Sequence, residues 1–241
     1  MRKLLMGAVI ASATLALAGG AIAQTAGDAS LDVAISPSKA GTSKKPKSHS
    51  LDLKLAVTKP GTTVGVIQVD LGKGLKFSGK GFKKCSKETL IAGGPTACPA
   101  GSKAGPQGKA VAGLEPGNTD LQLDIYPFVG ANNTFYIYVD TLPYGLAIQD
   151  VLTGAITNKG RKMRITIPES LRQPVEGVDA TLKDIDQTFT GKAGKNGIVT
   201  STACKDKKFK VKGTLEFAAR LDGGAVPGPQ SVSASSKCKK P

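Results

Sequence analysis

The sequence predicts an all-β fold, an immunoglobulin-like or jelly-roll antiparallel β-sandwich stapled by two disulfides. Three observations carry that expectation. Apolar and polar residues alternate through segment after segment, and short Gly- and Pro-rich turns separate the segments. Beyond position 23, no run of ten residues keeps the apolar period of a helix.

The elements follow in chain order. Leu31, Val33 and Ile35 form a short strand that stops at Ser36-Pro37. Residues 38–50 carry Ser, Lys, Gly41 and Pro46, with no apolar residue beyond Ala40, and read as an exposed loop. Leu51, Leu53, Leu55 and Val57 make a half-buried strand, Lys59-Pro60-Gly61 turns the chain, and Val64 to Leu71 gives the next strand. Gly74-Leu75-Lys76-Phe77 follows a Gly-Lys-Gly turn. Residues 78–108 are rich in Gly, Pro, Lys and Ser, and a covalent link is expected to replace a missing core there.

Lys109 to Leu114 is a weak strand. Leu121 to Val129 and Thr134 to Asp140 read as a hairpin around Gly130-Ala131-Asn132-Asn133, a turn suited to positive φ. With Val129 opposite Thr134, Tyr126, Phe128, Phe135, Ile137 and Val139 share one face. Leu123, Ile125, Pro127, Tyr136 and Tyr138 then share the other. Such a hairpin is either central in a sandwich or offers a partner patch, with Tyr126, Tyr136, Tyr138 and Tyr144 as candidates. Packing with the hydroxyls at a rim is the plainer expectation.

Ala147 to Leu152 fits a strand or a helical turn, and Met163, Ile165 and Ile167 alternate up to Pro168. Two strands are expected near Val178 to Leu182 and Ile185 to Phe189. The longest alternation places Phe209, Val211, Leu215, Phe217, Ala219 and Leu221 on one face. Lys208, Lys210, Lys212, Thr214, Glu216 and Arg220 occupy the other. Asp222-Gly223-Gly224 turns the chain, and Ser231 to Ser236 returns towards Cys238.

The N-terminus has the order of a Sec-type signal peptide over residues 1–23. Arg2 and Lys3 precede an apolar run from Leu4 to Ala18, and Ala21-Ile22-Ala23 places cleavage before Gln24. The run falls short of the roughly 20 residues that span a bilayer. No cysteine follows it to carry a lipoprotein anchor, so the expected product is a secreted or cell-surface domain over 24–241 with no transmembrane segment.

Four cysteines remain in that domain, and four allow three pairings. Cys85–Cys98 and Cys204–Cys238 are favoured because each pair is local and brackets a turn-rich or hairpin segment. Loop-closure entropy assigns them about 3 and about 4 kcal/mol. The net charge of +15 is unevenly placed: residues 36–90 hold 12 basic and 3 acidic groups, and residues 191–241 hold 11 and 3. Residues 91–190 hold 8 and 10. This asymmetry points to an anionic envelope polymer or lipid headgroups as partner, another protein being the alternative. Lys208, Lys210, Lys212, Lys83 and Lys84 are the candidate anion-binding residues, and Lys-rich solubilisation of strand faces is the plainer account.

Several local patterns occur together: Gly74-Leu75-Lys76-Phe77, Cys85 with Leu90, and Gly94-Pro95-Thr96-Ala97-Cys98-Pro99 followed by Ser102-Lys103 and Gly105. Cys204, Phe209-Lys210-Val211 and the closing Cys238-Lys239-Lys240 complete the set. Together they resemble a group of exported β-rich proteins common in GC-rich actinobacteria. The resemblance implies a secreted β-rich protein. That group has no assigned activity, so it carries no functional residues across.

The chemical motifs are weak. Gly74 to Gly81 approaches a phosphate-binding loop, but Gly81 stands where a hydroxyl is required. The single histidine, His49, falls in the segment read as a loop, where nothing would hold it as a general base. No CxxC accompanies it to suggest zinc. Asp120 with Asp124, and Asp184 with Asp186, sit at strand spacing and are candidates for hydrolytic carboxylates. Nucleic acid is not expected, because the only aromatics of the basic segments are Phe77, Phe82, Phe209 and Phe217, the last two on a core face. No metal, cofactor or catalytic residue is therefore assigned. The expected function is a non-enzymatic exported binding or structural module, with a secreted carboxylate-dependent hydrolase as the alternative.

Overall fold

The computed structural model describes residues 24–26, 28–117 and 119–241; the expected signal peptide and its cleavage position lie outside the described residues. Strands β1 (Gln24–Ala26), β2 (Ala29–Ser36), β3 (Lys47–Val57), β4 (Thr63–Leu71) and β5 (Leu75–Phe77) precede helix α1 (Lys87–Ala97). Next come β6 (Gly108–Glu115), β7 (Thr119–Val129), β8 (Thr134–Asp140), β9 (Gln149–Thr157) and β10 (Lys162–Thr166). A single helical turn, α2 (Glu169–Arg172), leads to β11 (Asp179–Phe189). The small strands β12 (Lys192–Ala193), β13 (Asn196–Gly197) and β14 (Val199–Ser201) precede β15 (Lys208–Ala218) and β16 (Gln230–Lys237).

The fold is all-β and sandwich-like, and its two layers are parts of one antiparallel sheet. The hydrogen-bonded order runs β1-β2-β3-β11-β6-β7-β8-β9-β10-β4-β15-β16, with β14 bridging β3 and β5. The sheet rolls until its last strand lies beside its first. Ile35 N donates to Ser236 Oγ at 3.2 Å, and Lys39 and Lys239 form a parallel bridge. Inward residues of nearly every strand then meet in one apolar core, with Leu31, Leu51, Val64, Phe135, Met163, Phe209 and Leu215 fully buried. Alternation along each strand directs these residues inward and leaves polar neighbours outside.

Both disulfides join the expected partners, with Cα separations of 5.4 Å for Cys85–Cys98 and 5.9 Å for Cys204–Cys238, inside the usual range. Among the described residues no helix is long and apolar enough to cross a membrane.

Four local expectations change. Residues 87–97 are helical rather than loop. Ser86 caps the helix by accepting from Thr89 N at 3.1 Å, and Glu88 suits the positive end of the helix. Gly94, at φ 64°, interrupts the helix and Pro95 restarts it. Leu90 is its one buried residue, so no apolar stripe exists for a periodicity test to find.

The hairpin register also differs. Val129 pairs with Phe135 rather than Thr134, because Asn132 and Asn133 both adopt positive φ and Gly130 N closes the turn on Thr134 O. A one-residue slip exchanges faces. Phe135, Ile137 and Val139 therefore enter the main core with Ile125 and Val129. Phe128, Tyr126, Tyr136 and Tyr138 form a second cluster with Leu90, Val151 and the Cys85–Cys98 link.

The expected strand pair at 178–189 is one strand, β11, with a bulge at Lys183 between Leu182 and Asp184. Finally, only Lys39 and residues 42–46 of the expected exposed loop 38–50 are exposed. Ala40 and Gly41 are buried where the chain lies against residues 201 and 239, and β3 begins at Lys47.

Candidate anion-binding groove

β15 carries the most regular pattern in the chain. Phe209, Val211 and Leu215 are buried, and Lys208, Lys210 and Lys212 project outward about 7 Å apart along the strand. A bulge between Glu216 and Phe217 then breaks the alternation, leaving Phe217 half-buried and Leu221 exposed.

The ladder with β16 places Lys237 beside Lys208, Ser235 beside Lys210 and Ser233 beside Lys212. Lys205 bridges Lys208 from the preceding turn. The resulting groove, about 460 Å³, is lined by Lys208, Lys210 and Lys212, by Ser233 and Ser235, and by Asp70 and Gly72. A smaller one of about 140 Å³ shares Gly72, Lys208 and Lys210 and adds Lys73, Lys205 and Asp206. Gly72 permits this close approach, since a Cβ there would lie 2.9 Å from Lys210 O.

Two carboxylates enter the grooves. Asp206 pairs with Lys210 at 3.2 Å, both exposed, and Asp70 pairs with Lys162 at 3.8 Å. Exposed pairs of this kind contribute little. Lys73, Lys205, Lys208 and Lys212 have no carboxylate partner among the described residues. Like charges directly opposite each other on a ladder are unfavourable, so the juxtaposition of Lys205, Lys208 and Lys237 costs stability unless an anion lies across it.

Lys83 and Lys84 do not join this site. Lys83 packs on Gly101, and Lys84 Nζ donates to Gly79 O at 2.6 Å, with burial pushing its ammonium below the ordinary lysine range. Lys205 was not singled out by sequence. It and Lys73, of the early basic segment, reach the groove through turns whose positions no strand pattern reveals.

The candidate tyrosine patch is divided. Tyr138 is 3% exposed, with its hydroxyl end beside Gly94 of α1, and so belongs to the interior. Tyr126 and Tyr136 are half-buried beside it. Tyr144 stands apart: its hydroxyl donates to Asp124 Oδ1 at 2.9 Å and accepts from Lys109, which pairs with Asp124 at 2.5 Å. Burial disfavours the Asp124 carboxylate, but hydrogen bonds from Lys109, Tyr144 and Gln107 outweigh it and hold the group below its usual range.

The candidate hydrolytic acids do not converge on a cleft. Asp120 pairs with Lys183, Asp124 with Lys109 and Asp186 with Lys54. Burial, reinforced by Asp186, raises the Asp184 carboxyl, yet neither acid lines a groove or the interior cavity. Among the described residues no three His, Cys, Asp or Glu side chains gather at metal-binding distance.

His49 is not in a loop. It lies on β3 at 2% exposure, edge-on to Phe209. Its Nδ1 meets Pro37 O at 2.8 Å and its Nε2 meets Ser201 Oγ at 2.7 Å. A carbonyl can only accept, so Nδ1 carries the proton and Nε2 accepts from the serine hydroxyl. Ser201 in turn accepts from Gly41 N at 2.9 Å. The pair has the contacts of a serine–histidine dyad, but both residues are sealed from substrate and its role is structural.

No family model, curated protein or solved structure matches this chain.

Proposed function

We propose that the protein is a non-enzymatic binding module of the cell envelope or extracellular space, and that the lysine groove along β15 engages an acidic polymer. The observation that carries this reading is the meeting of Lys205, Lys208 and Lys237 at paired ladder positions, continued by Lys210 and Lys212 beside Ser233 and Ser235. Charge placed only for solubility needs no such concentration. A linear polyanion would satisfy the row of ammonium groups, and the serine hydroxyls supply donors between them. Export is supported by the N-terminal leader pattern and by two disulfides, which persist in oxidising compartments.

The direct test is binding of the purified protein to immobilised polyglucuronate and polyglycerol phosphate at rising salt. Retention at low salt that falls steeply towards physiological salt supports the reading, since exposed charges are screened over about 8 Å there. Absence of retention on either polymer at low salt refutes it.

A further inference from the structure

The interior of the roll contains an apolar cavity of about 120 Å³. Native interiors are close-packed, and unfilled apolar space lowers stability in proportion to its volume. A lined apolar cavity of about 150 Å³ stays dry and accepts a benzene-sized guest, so this one suits an aliphatic segment of similar bulk. Its walls come from opposite sides of the sheet, among them Leu53, Ile67, Ile137, Leu152 and Met163.

Half-exposed residues of the lining, Leu123, Ile167, Leu171, Leu182 and Ile185 with Arg172 among them, mark its mouth. Leu171 and Arg172 lie on α2, which packs against β4 and β11. Among the described residues of the lining, Arg172 alone is charged. Its Nε donates to Ile167 O at 3.3 Å, and no carboxylate pairs with its guanidinium among the described residues. Arg164 and Arg220, by contrast, each hold a glutamate. An unneutralised guanidinium beside the rim of an apolar cavity matches a ligand with a carboxylate at one end and an alkyl chain at the other.

We propose that the cavity binds a medium-chain aliphatic carboxylate, with the alkyl tail inside the roll and the carboxylate at Arg172. This site is separate from the lysine groove and does not depend on it.

The test follows the methyl resonances of the purified protein during titration with octanoate and with octanol. Octanoate is expected to shift methyls of cavity residues such as Leu152, Met163 and Ile165. Arg172→Gln is expected to weaken octanoate about tenfold while leaving octanol unchanged, the effect of losing one charged hydrogen-bonded contact. Ala110→Leu, which fills the cavity from β6, should abolish both, with an unchanged amide spectrum elsewhere showing that the variant is folded. Three results would overturn the proposal: no shift at cavity methyls in the unaltered protein, equal weakening of octanol and octanoate by Arg172→Gln, or loss of octanoate binding on replacing Lys208, Lys210 and Lys212 with Gln. The last would place the carboxylate at the groove.

Discussion

His49 Nε2 lies 2.7 Å from Ser201 Oγ, and this contact, with the bonds of the same two residues to Pro37 and Gly41, ties three separate segments together. Through Pro37 O and Gly41 N the same network secures both ends of the short connection between β2 and the exposed turn at 42–46. His49 must be neutral to accept from the serine, and burial, with a smaller contribution from Lys47, holds its pKa below the ordinary histidine value.

The sign of the pH dependence follows. A histidine whose folded-state pKa is depressed binds its proton more readily when unfolded. Its contribution is intact above about pH 6.5 and is lost as pH falls from there towards the folded value, at no more than about 1.4 kcal/mol per unit. Urea unfolding followed through this window should show the decline in the unaltered protein and its absence in His49→Gln. An unchanged decline in that variant would assign the effect elsewhere.

Ser201→Ala strands the imidazole Nε2 and the Gly41 amide together. A cost of about 1–3 kcal/mol per unsatisfied buried group is expected, read from the urea midpoint at neutral pH. A loss below about half a kcal/mol would mean that water replaces the hydroxyl.

Leu90→Ala removes the residue that seats α1 on Phe128 and Tyr138. The expected loss is about 2–5 kcal/mol. The chain has no Trp, and three of its four tyrosines, Tyr126, Tyr136 and Tyr138, belong to this cluster, so near-ultraviolet circular dichroism reports on it. The tyrosine signal should change in the folded variant; an unaltered spectrum with unaltered stability would place α1 loosely on the sheet.

Arg220 is the largest ionic junction among the described residues, pairing with Glu115 at 2.6 Å, Asp222 at 3.3 Å and Asp179 at 3.8 Å. Asp179 is 4% exposed, so Arg220→Met leaves a buried carboxylate uncompensated. About 3–5 kcal/mol should be lost, and Asp179→Asn in the same chain should recover part of it. Additive losses would show that the two residues act independently.

Much of this architecture was legible because one face of each strand meets the core. The alternations at 51–57, 134–140 and 208–215 became strands, and the two local cysteine pairs became the two links. What failed to show depended on single contacts rather than periodicity. Helix α1 buries only Leu90, and the hairpin register was set by positive φ at Asn132 and Asn133. His49 was concealed by the Lys- and Ser-rich residues around it, since its burial comes from Pro37, Ser201 and Phe209, all distant in sequence or across the sheet. For the groove, Lys208, Lys210 and Lys212 could be placed from their spacing, while Lys73 and Lys205 arrive through turns and Lys237 is set beside Lys208 by the ladder.

The central claim is that position, rather than net charge, makes the lysines of β15 a binding site. The decisive measurement compares polyglucuronate affinity and its salt dependence in two variants of equal charge. One carries Lys208→Gln, Lys210→Gln and Lys212→Gln; the other carries Lys80→Gln, Lys83→Gln and Lys87→Gln, outside the groove. By counterion release the first should flatten the salt slope by about three and weaken binding strongly at low salt, with the second close to the unaltered protein. Equal losses in both variants would contradict the account and return the lysines to solubilisation.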